Sequence, residues 1–267
     1  MKIVEKFIRG KDGALPCGDN IFVSENYVAV IDGATPKGTR KWNGTRGDVF
    51  VSEIIKSALA LLPSDLCATE AISRINEAVN SEYEKHETSF FALLPEERLQ
   101  ASVVIYSAHH REIWLFGDCI FSVNGCEYIE KRRLDTLLSD LRALVIENAR
   151  REGIAYEGDI GREAILPLLK KCISYANQDG EFGYDAINGG EIKAENVKIV
   201  KVNSGDFVIL ASDGYPRLLD TLEKTESYLF EALKSDPECI GILRSTKGLS
   251  KENESFDDRS YVSFFVS

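Results

Sequence analysis

The sequence predicts an α+β protein: two antiparallel β-sheets packed face to face and flanked by helices, a four-layer αββα sandwich. Three observations carry this expectation. Short apolar runs at 102–106, 112–116 and 120–123 are joined by tight turns, as in an antiparallel meander. Paired amphipathic segments, with apolar residues at helical spacing, interrupt the strand runs once before this meander and once after it. The resulting order of strand, helix pair, strand, helix pair, strand gives each sheet one face for the other sheet and one face for helices. With 267 residues, 44% of them hydrophobic, the chain suits one domain spanning 1–267.

Taken in order, residues 3–8 read as a strand, and the polar loop 9–19 leads into strands at 21–23 and 27–31, with Asn26 in the turn between them. A helix starts near Asp48 and carries Val51, Ile54, Ile55, Ala58 and Leu62 on one side. Pro63-Ser64-Asp65 stops it, and a second helix follows through Ala68, Ile72, Ile75 and Val79 to about Tyr83. Beyond the meander and its Asn124-Gly125 turn, helices are expected at 135–151 and 162–176, with Pro167 near the first turn of the second. A glycine-rich loop at 179–190 returns the chain to strands at 197–202 and 207–211. Helix is then expected from Pro216 through Leu218, Leu222, Leu229 and Leu233, and a strand at 261–266 closes the chain.

A formal net charge of -11 argues against a nucleic-acid or anionic-membrane surface, which needs a basic face. Residues 1–6 mix charge with apolar side chains and form no signal-peptide core, and no later run approaches a membrane span, so a cytoplasmic protein is expected. The six cysteines show no Cys-x-x-Cys pair and read as reduced, buried thiols. Three histidines offer little material for a histidine cage or triad.

The chemistry lies in acidic residues at strand ends. The run Ala29-Val30-Ile31 ends in Asp32-Gly33, Val208-Ile209-Leu210-Ala211-Ser212 ends in Asp213-Gly214, and Asp257-Asp258 precedes the last strand. An isolated Asp-Gly most often marks a hairpin turn. Here both Asp-Gly pairs follow wholly apolar strands and precede helix-like segments, which points to one shared metal cluster. Carboxylates are hard oxygen donors suited to Mg²⁺ or Mn²⁺. The loop after Asp32 carries Lys37, Arg40, Lys41 and Arg46, a set suited equally to an anionic substrate or to balancing an acidic surface.

Five short motifs occur in a telling order: Gly18-Asp19-Asn20, Ile31-Asp32-Gly33, Phe116-Gly117-Asp118, Ala211-Ser212-Asp213-Gly214, and Asp257-Asp258-Arg259-Ser260-Tyr261-Val262. Their order resembles that of the type 2C metal-dependent serine/threonine protein phosphatases of bacterial type. The resemblance implies the same αββα sandwich, with Asp32 and Asp213 as the catalytic carboxylates. It further implies that Asp32 bridges two Mg²⁺ or Mn²⁺ ions, that the Gly33 carbonyl ligates one of them, and that Asp213 and Asp257 complete the cluster. Asp19 would order metal-bound water, and Asp118 would hold a third, weaker ion. A hydroxide bridging the two ions would attack phosphorus directly, on a phosphorylated protein or a small phosphate ester.

Two positions depart from the family. Ala34-Thr35 stand where it often has His-Gly, and 14–17 lack its phosphate-binding Arg, for which Arg9, Lys37, Arg40 and Arg46 are the available substitutes. Two other readings share this layering. One is a regulatory module that has lost activity; the other is an N-terminal-nucleophile hydrolase, which needs a Thr, Ser or Cys where this chain has Met1-Lys2. Retention of every metal carboxylate favours the phosphatase.

Overall fold

A computed structural model describes residues 1–267. In chain order the strands are β1 (Lys2–Arg9), β2 (Asp19–Val23), β3 (Tyr27–Gly33), β4 (Lys41–Trp42), β5 (Thr45–Arg46), β6 (Ala101–Ser107), β7 (Glu112–Phe116), β8 (Ile120–Val123), β9 (Cys126–Tyr128), β10 (Lys198–Lys201), β11 (Phe207–Ala211) and β12 (Arg259–Phe265). The helices are α1 (Gly47–Leu61), α2 (Ala68–Tyr83), α3 (Arg133–Glu152), α4 (Ile160–Cys172) and α5 (Leu222–Ser235). One antiparallel sheet has the order β1-β12-β11-β8-β9 and the other β10-β7-β6-β3-β2, while β4 and β5 form a small separate ribbon.

Strand geometry explains the layering, because successive side chains point to opposite faces. In β3 and β6, Val28, Val30, Val104 and Tyr106 point between the sheets and meet Val208, Leu210, Val262 and Phe264. Their neighbours Ala29, Ile31, Val103 and Ile105 point the other way, onto Val51 and Ile55 of α1 and Ile72 and Ile75 of α2. Both faces are buried, so these strands read as unbroken apolar runs. The outer face of the first sheet presents Ile209, Ala211 and Tyr261 to Leu229 and Leu233 of α5. Helices α3 and α4 pack together through Leu138, Ile165 and Leu169. Arg142 of α3, only 1% exposed, ties this pair to a distant loop by donating to Asp159 and to the carbonyls of Glu238, Cys239 and Ser245. The expected sandwich is present.

Several local expectations need correction. The run 102–123 is not one meander, since β6 and β7 belong to one sheet and β8 to the other. The chain changes sheets at Gly117-Asp118, where Gly117 has φ 103 and a Cβ would lie 2.3 Å from Ser102 Oγ. The helix expected from Pro216 starts only at Leu222, because Thr221 caps it by accepting from the Lys224 N–H. Helix α4 starts early, at Ile160, because Asp159 accepts from the Arg162 N–H, and Pro167 therefore lies well past the first turn. Strand β9 follows the Asn124-Gly125 turn, whose positive φ values of 51 and 81 suit a two-residue hairpin. Cys67 and Cys126 are exposed rather than buried, and all six thiols are free. No helix is long and apolar enough to cross a membrane.

The core between the sheets sets the stability of this arrangement. Phe264 is fully buried there, its ring 4.9 Å from that of Tyr106. Phe264→Ala should lower unfolding free energy by about 3–5 kcal/mol through lost transfer energy and the cavity left behind. Urea unfolding followed by tryptophan fluorescence measures this; a loss below about 1 kcal/mol would show that the sheets do not depend on this contact.

Candidate metal centre

Asp32, at the end of β3, Asp118, at the crossing from β7 to β8, and Asp213, after β11, come together at one end of the two sheets. Each offers a carboxylate oxygen, and the three oxygens lie within 4.8 Å of one another. Sheet register produces this meeting. Asp32 is paired across the ladder with Ser102, whose hydroxyl donates to Asp118 Oδ1, and the Asp213 N–H donates to Asp32 Oδ2 over 3.4 Å. Burial raises the Asp32 carboxyl well above the usual range, and the charges of Asp19, Asp118 and Asp257 add to this. Asp213 is raised in the same way, by burial first and then by Asp32 and Asp118.

The neighbours of these three separate into groups with different partners. Asp118 accepts from Arg132 Nη2 at 2.7 Å, so part of its charge is met by a cation of this chain. Arg132 also stacks on Tyr184, its guanidinium 4.5 Å from the ring. Asp19 faces Asp32 across the β2–β3 ladder and accepts from Ser260 Oγ at 2.8 Å. Burial pushes Asp19 up to about 8; the hydroxyls of Ser212 and Ser260 oppose that rise, and Asp258 and Asp257 add to it. Gly33 packs so closely that a Cβ would lie 2.3 Å from the Asp48 carbonyl, and its own carbonyl faces Gly18.

Asp257 lines the same cavity but stands outside the three-carboxylate group. Lys247 Nζ lies 2.5 Å from its Oδ2, and Lys11 Nζ lies 3.8 Å from its Oδ1. Burial works to raise this carboxyl, yet Lys247 and Lys11 outweigh it and hold the group below its ordinary value.

Of the cations expected to meet substrate, only Lys37 reaches the cavity. It donates to the Thr35 carbonyl at 2.6 Å, and burial, with Lys247 and Arg162 nearby, lowers it to about 8. Arg40 instead lies over the rings of Trp42 and Phe90, at 4.7 and 5.0 Å. Arg46 is held bidentately by Asp48, at 3.0 and 2.6 Å, and Arg9 by Glu254. Sequence reasoning missed the cations that do line the cavity, chiefly Arg132, Arg162 and Lys247. No motif marks them, and their chain distance from Asp32 hides them.

The cavity has a volume of about 370 Å³, and its lining mixes carboxylates, Asp135, Asp140 and Asp257 among them, with the cations Lys37, Arg132, Arg162 and Lys247. Three converging hard donors, two of them raised because burial leaves their charge without a cationic partner, fit a divalent ion. No protein-family profile and no curated protein sequence matches the chain. Among solved structures, the catalytic domain of the serine threonine protein phosphatase PstP, in complex with two manganese ions, superposes with a TM-score of 0.50 at 16% identity, covering 100% of each chain. The chain has the fold of a serine/threonine protein phosphatase. Also similar are PppA of Pseudomonas aeruginosa, at 15% identity and TM-score 0.48 over 98% of this chain and 96% of that one, and RsbX in complex with magnesium, at 14% identity and TM-score 0.46 over 100% and 99%.

Within this phosphatase fold, Asp19 makes stability depend on pH. Its folded value of about 8 exceeds the unfolded 3.8, so the folded state holds the proton more tightly. That contribution is complete below the unfolded value and disappears as pH rises through the folded one, at no more than about 1.4 kcal/mol per pH unit for one proton. Metal-free protein should therefore lose stability between pH 5 and about 8, and Asp19→Asn should lessen the loss, leaving the share that Asp32 and Asp213 contribute. Urea titrations in EDTA across that range measure it, and an unchanged slope in the variant would place Asp19 outside the effect.

Proposed function

We propose that the chain, as one domain spanning 1–267, is a cytoplasmic, metal-dependent serine/threonine protein phosphatase that hydrolyses phosphoserine or phosphothreonine. One observation carries the reading: Asp32, Asp118 and Asp213 converge in a cavity that is also lined by the cations Lys37, Arg132, Arg162 and Lys247. Carboxylates alone would repel a phosphate monoester. Cations alone would bind it without means of cleavage. The net charge of -11 favours a protein or a small phosphate ester over a nucleic acid.

Bound Mg²⁺ or Mn²⁺ would supply a Lewis acid and a water acidic enough to act as nucleophile at neutral pH. The chain's own residues hold and orient. Asp32, Asp118 and Asp213 are the donors for such an ion, and Asp19 lies behind Asp32, where its contact with Ser260 fixes its orientation. Arg132 stays on Asp118 and fixes the orientation of that carboxylate. An ammonium has three donor hydrogens, and Lys37 uses one on the Thr35 carbonyl, leaving the others for phosphoryl oxygens. Arg162 adds a second cation to the lining of the same cavity. Lys37 thus takes the phosphate-binding role for which the sequence offers no motif match.

Hydrolysis of p-nitrophenyl phosphate and of a phosphothreonine peptide should require Mn²⁺ or Mg²⁺ and cease in EDTA. Asp213→Asn should lower kcat/KM by about 100-fold or more with the fold intact. Lys37→Ala should raise KM by about tenfold with little change in kcat, as expected for ground-state phosphate binding. Full activity in EDTA would overturn the metal-dependent reading, and no hydrolysis under any condition would return the chain to a binding module.

A further inference from the structure

The phosphatase reading leaves Asp257 unexplained, because its surroundings differ from those of the other three carboxylates. Both of its oxygens are occupied by this chain's own groups. Oδ1 accepts from the Asp258 N–H at 3.0 Å, and Oδ2 lies 2.5 Å from Lys247 Nζ. A second ammonium, Lys11 Nζ, stands 3.8 Å from Oδ1 and donates to Thr35 Oγ1 at 3.2 Å. By contrast, neither Asp32 nor Asp213 has a lysine or arginine partner.

The lysines are placed by backbone contacts independent of Asp257. Thr246, just before Lys247, accepts from Arg162 Nη1 through both its carbonyl and its hydroxyl, at 3.0 and 3.1 Å. Gly248, just after it, donates its N–H to Asp159 Oδ2 at 3.0 Å. The first turn of α4 therefore clamps the chain on both sides of Lys247, whose side chain is 22% exposed. Lys11 is fixed likewise: its N–H donates to Asp258 Oδ1 at 2.8 Å, and its carbonyl accepts from the N–H groups of Glu254 and Ser255. A divalent ion on Asp257 would have to share a carboxylate already paired with Lys247 and would meet two ammonium groups nearby.

We propose that Lys247, assisted by Lys11, stands in for one divalent ion, so that Asp257 is an ion-pair partner and not a metal ligand, and the divalent ion belongs to Asp32, Asp118 and Asp213. This rests on the metal-dependent reading above. Its consequence is a centre with one divalent position fewer than a set of four metal-binding carboxylates would offer. The lysine's charge is permanent there, whereas an ion's would depend on metal supply.

Counting bound ions tests this without reference to activity. Metal-stripped protein is titrated calorimetrically with Mn²⁺, and the bound metal is counted by elemental analysis after dialysis. Lys247→Met should bind one Mn²⁺ per chain more than the wild type, and the double variant Lys247→Met/Asp257→Asn should lose that gain. Asp257→Asn alone should keep the wild-type count, with Kd changed by less than about threefold. An unchanged count in Lys247→Met, or loss of an ion in Asp257→Asn, would overturn the proposal. The first of these outcomes, joined to weaker binding of inorganic phosphate, would make Lys247 a phosphate ligand instead. If Lys247→Met does not fold, Asp257→Asn decides alone. Failure of the metal-dependent reading itself has a different signature, namely no Mn²⁺ bound by the wild type.

Discussion

Like charges gathered at one end of a sandwich are the constraint around which this molecule is arranged. Two unit charges 4 Å apart repel by about 4 kcal/mol at an effective dielectric constant of 20, and Asp32, Asp118 and Asp213 offer oxygens within 4.8 Å of one another. Strand pairing and apolar packing must hold these groups together against that repulsion. The chain relieves part of it with its own cations, Arg132 on Asp118 and Lys247 with Lys11 on Asp257. Asp32 and Asp213 remain uncompensated, and there burial raises the carboxyls most plainly. The unrelieved charge marks where a cation belongs.

Close backbone approach lets the carboxylates meet at all. A Cβ on Gly33 would lie 2.3 Å from the Asp48 carbonyl, and one on Gly214 would lie 2.0 Å from the Asp258 carbonyl. Each glycine after a site aspartate thus marks a place where two chain segments cross with no room for a side chain, which is a different reason for Asp-Gly from a hairpin turn. Gly117 is a third case, pressed against Ser102 where the chain passes between sheets. Widening any of these crossings would move the carboxylate beside it.

The layers and the three central carboxylates were legible because they follow from local pattern. Apolar runs such as Val28 to Ile31 and Val208 to Ala211 announce strands buried on both faces, and an aspartate ending such a run has to emerge at a sheet end. The cations were not legible in this way. Arg40 and Arg46 lie close to Asp32 in sequence, yet Arg40 turns back onto Trp42 and Phe90, and Arg46 onto Asp48. Arg162 and Lys247 reach the cavity through contacts between α4 and a loop without periodicity, and no local rule encodes such a contact. The division of 102–123 between two sheets was hidden for a similar reason, since a turn and a crossing share the same glycine chemistry.

Strand β12 is the last strand in sequence, yet it lies between β1, the first, and β11. Synthesis from the amino end therefore makes β1 long before its ladder partner exists, and its register from Lys2↔Phe265 to Arg9↔Arg259 waits until β12 has been made. Until then β1 and β11 each keep an unpaired edge toward the missing strand, the kind of edge that recruits other chains. Asp257 and Asp258, which lead into β12, arrive with it, so a chain not yet that long lacks the carboxylates with which Lys11 and Lys247 pair, and its charge pattern is completed only as the fold closes.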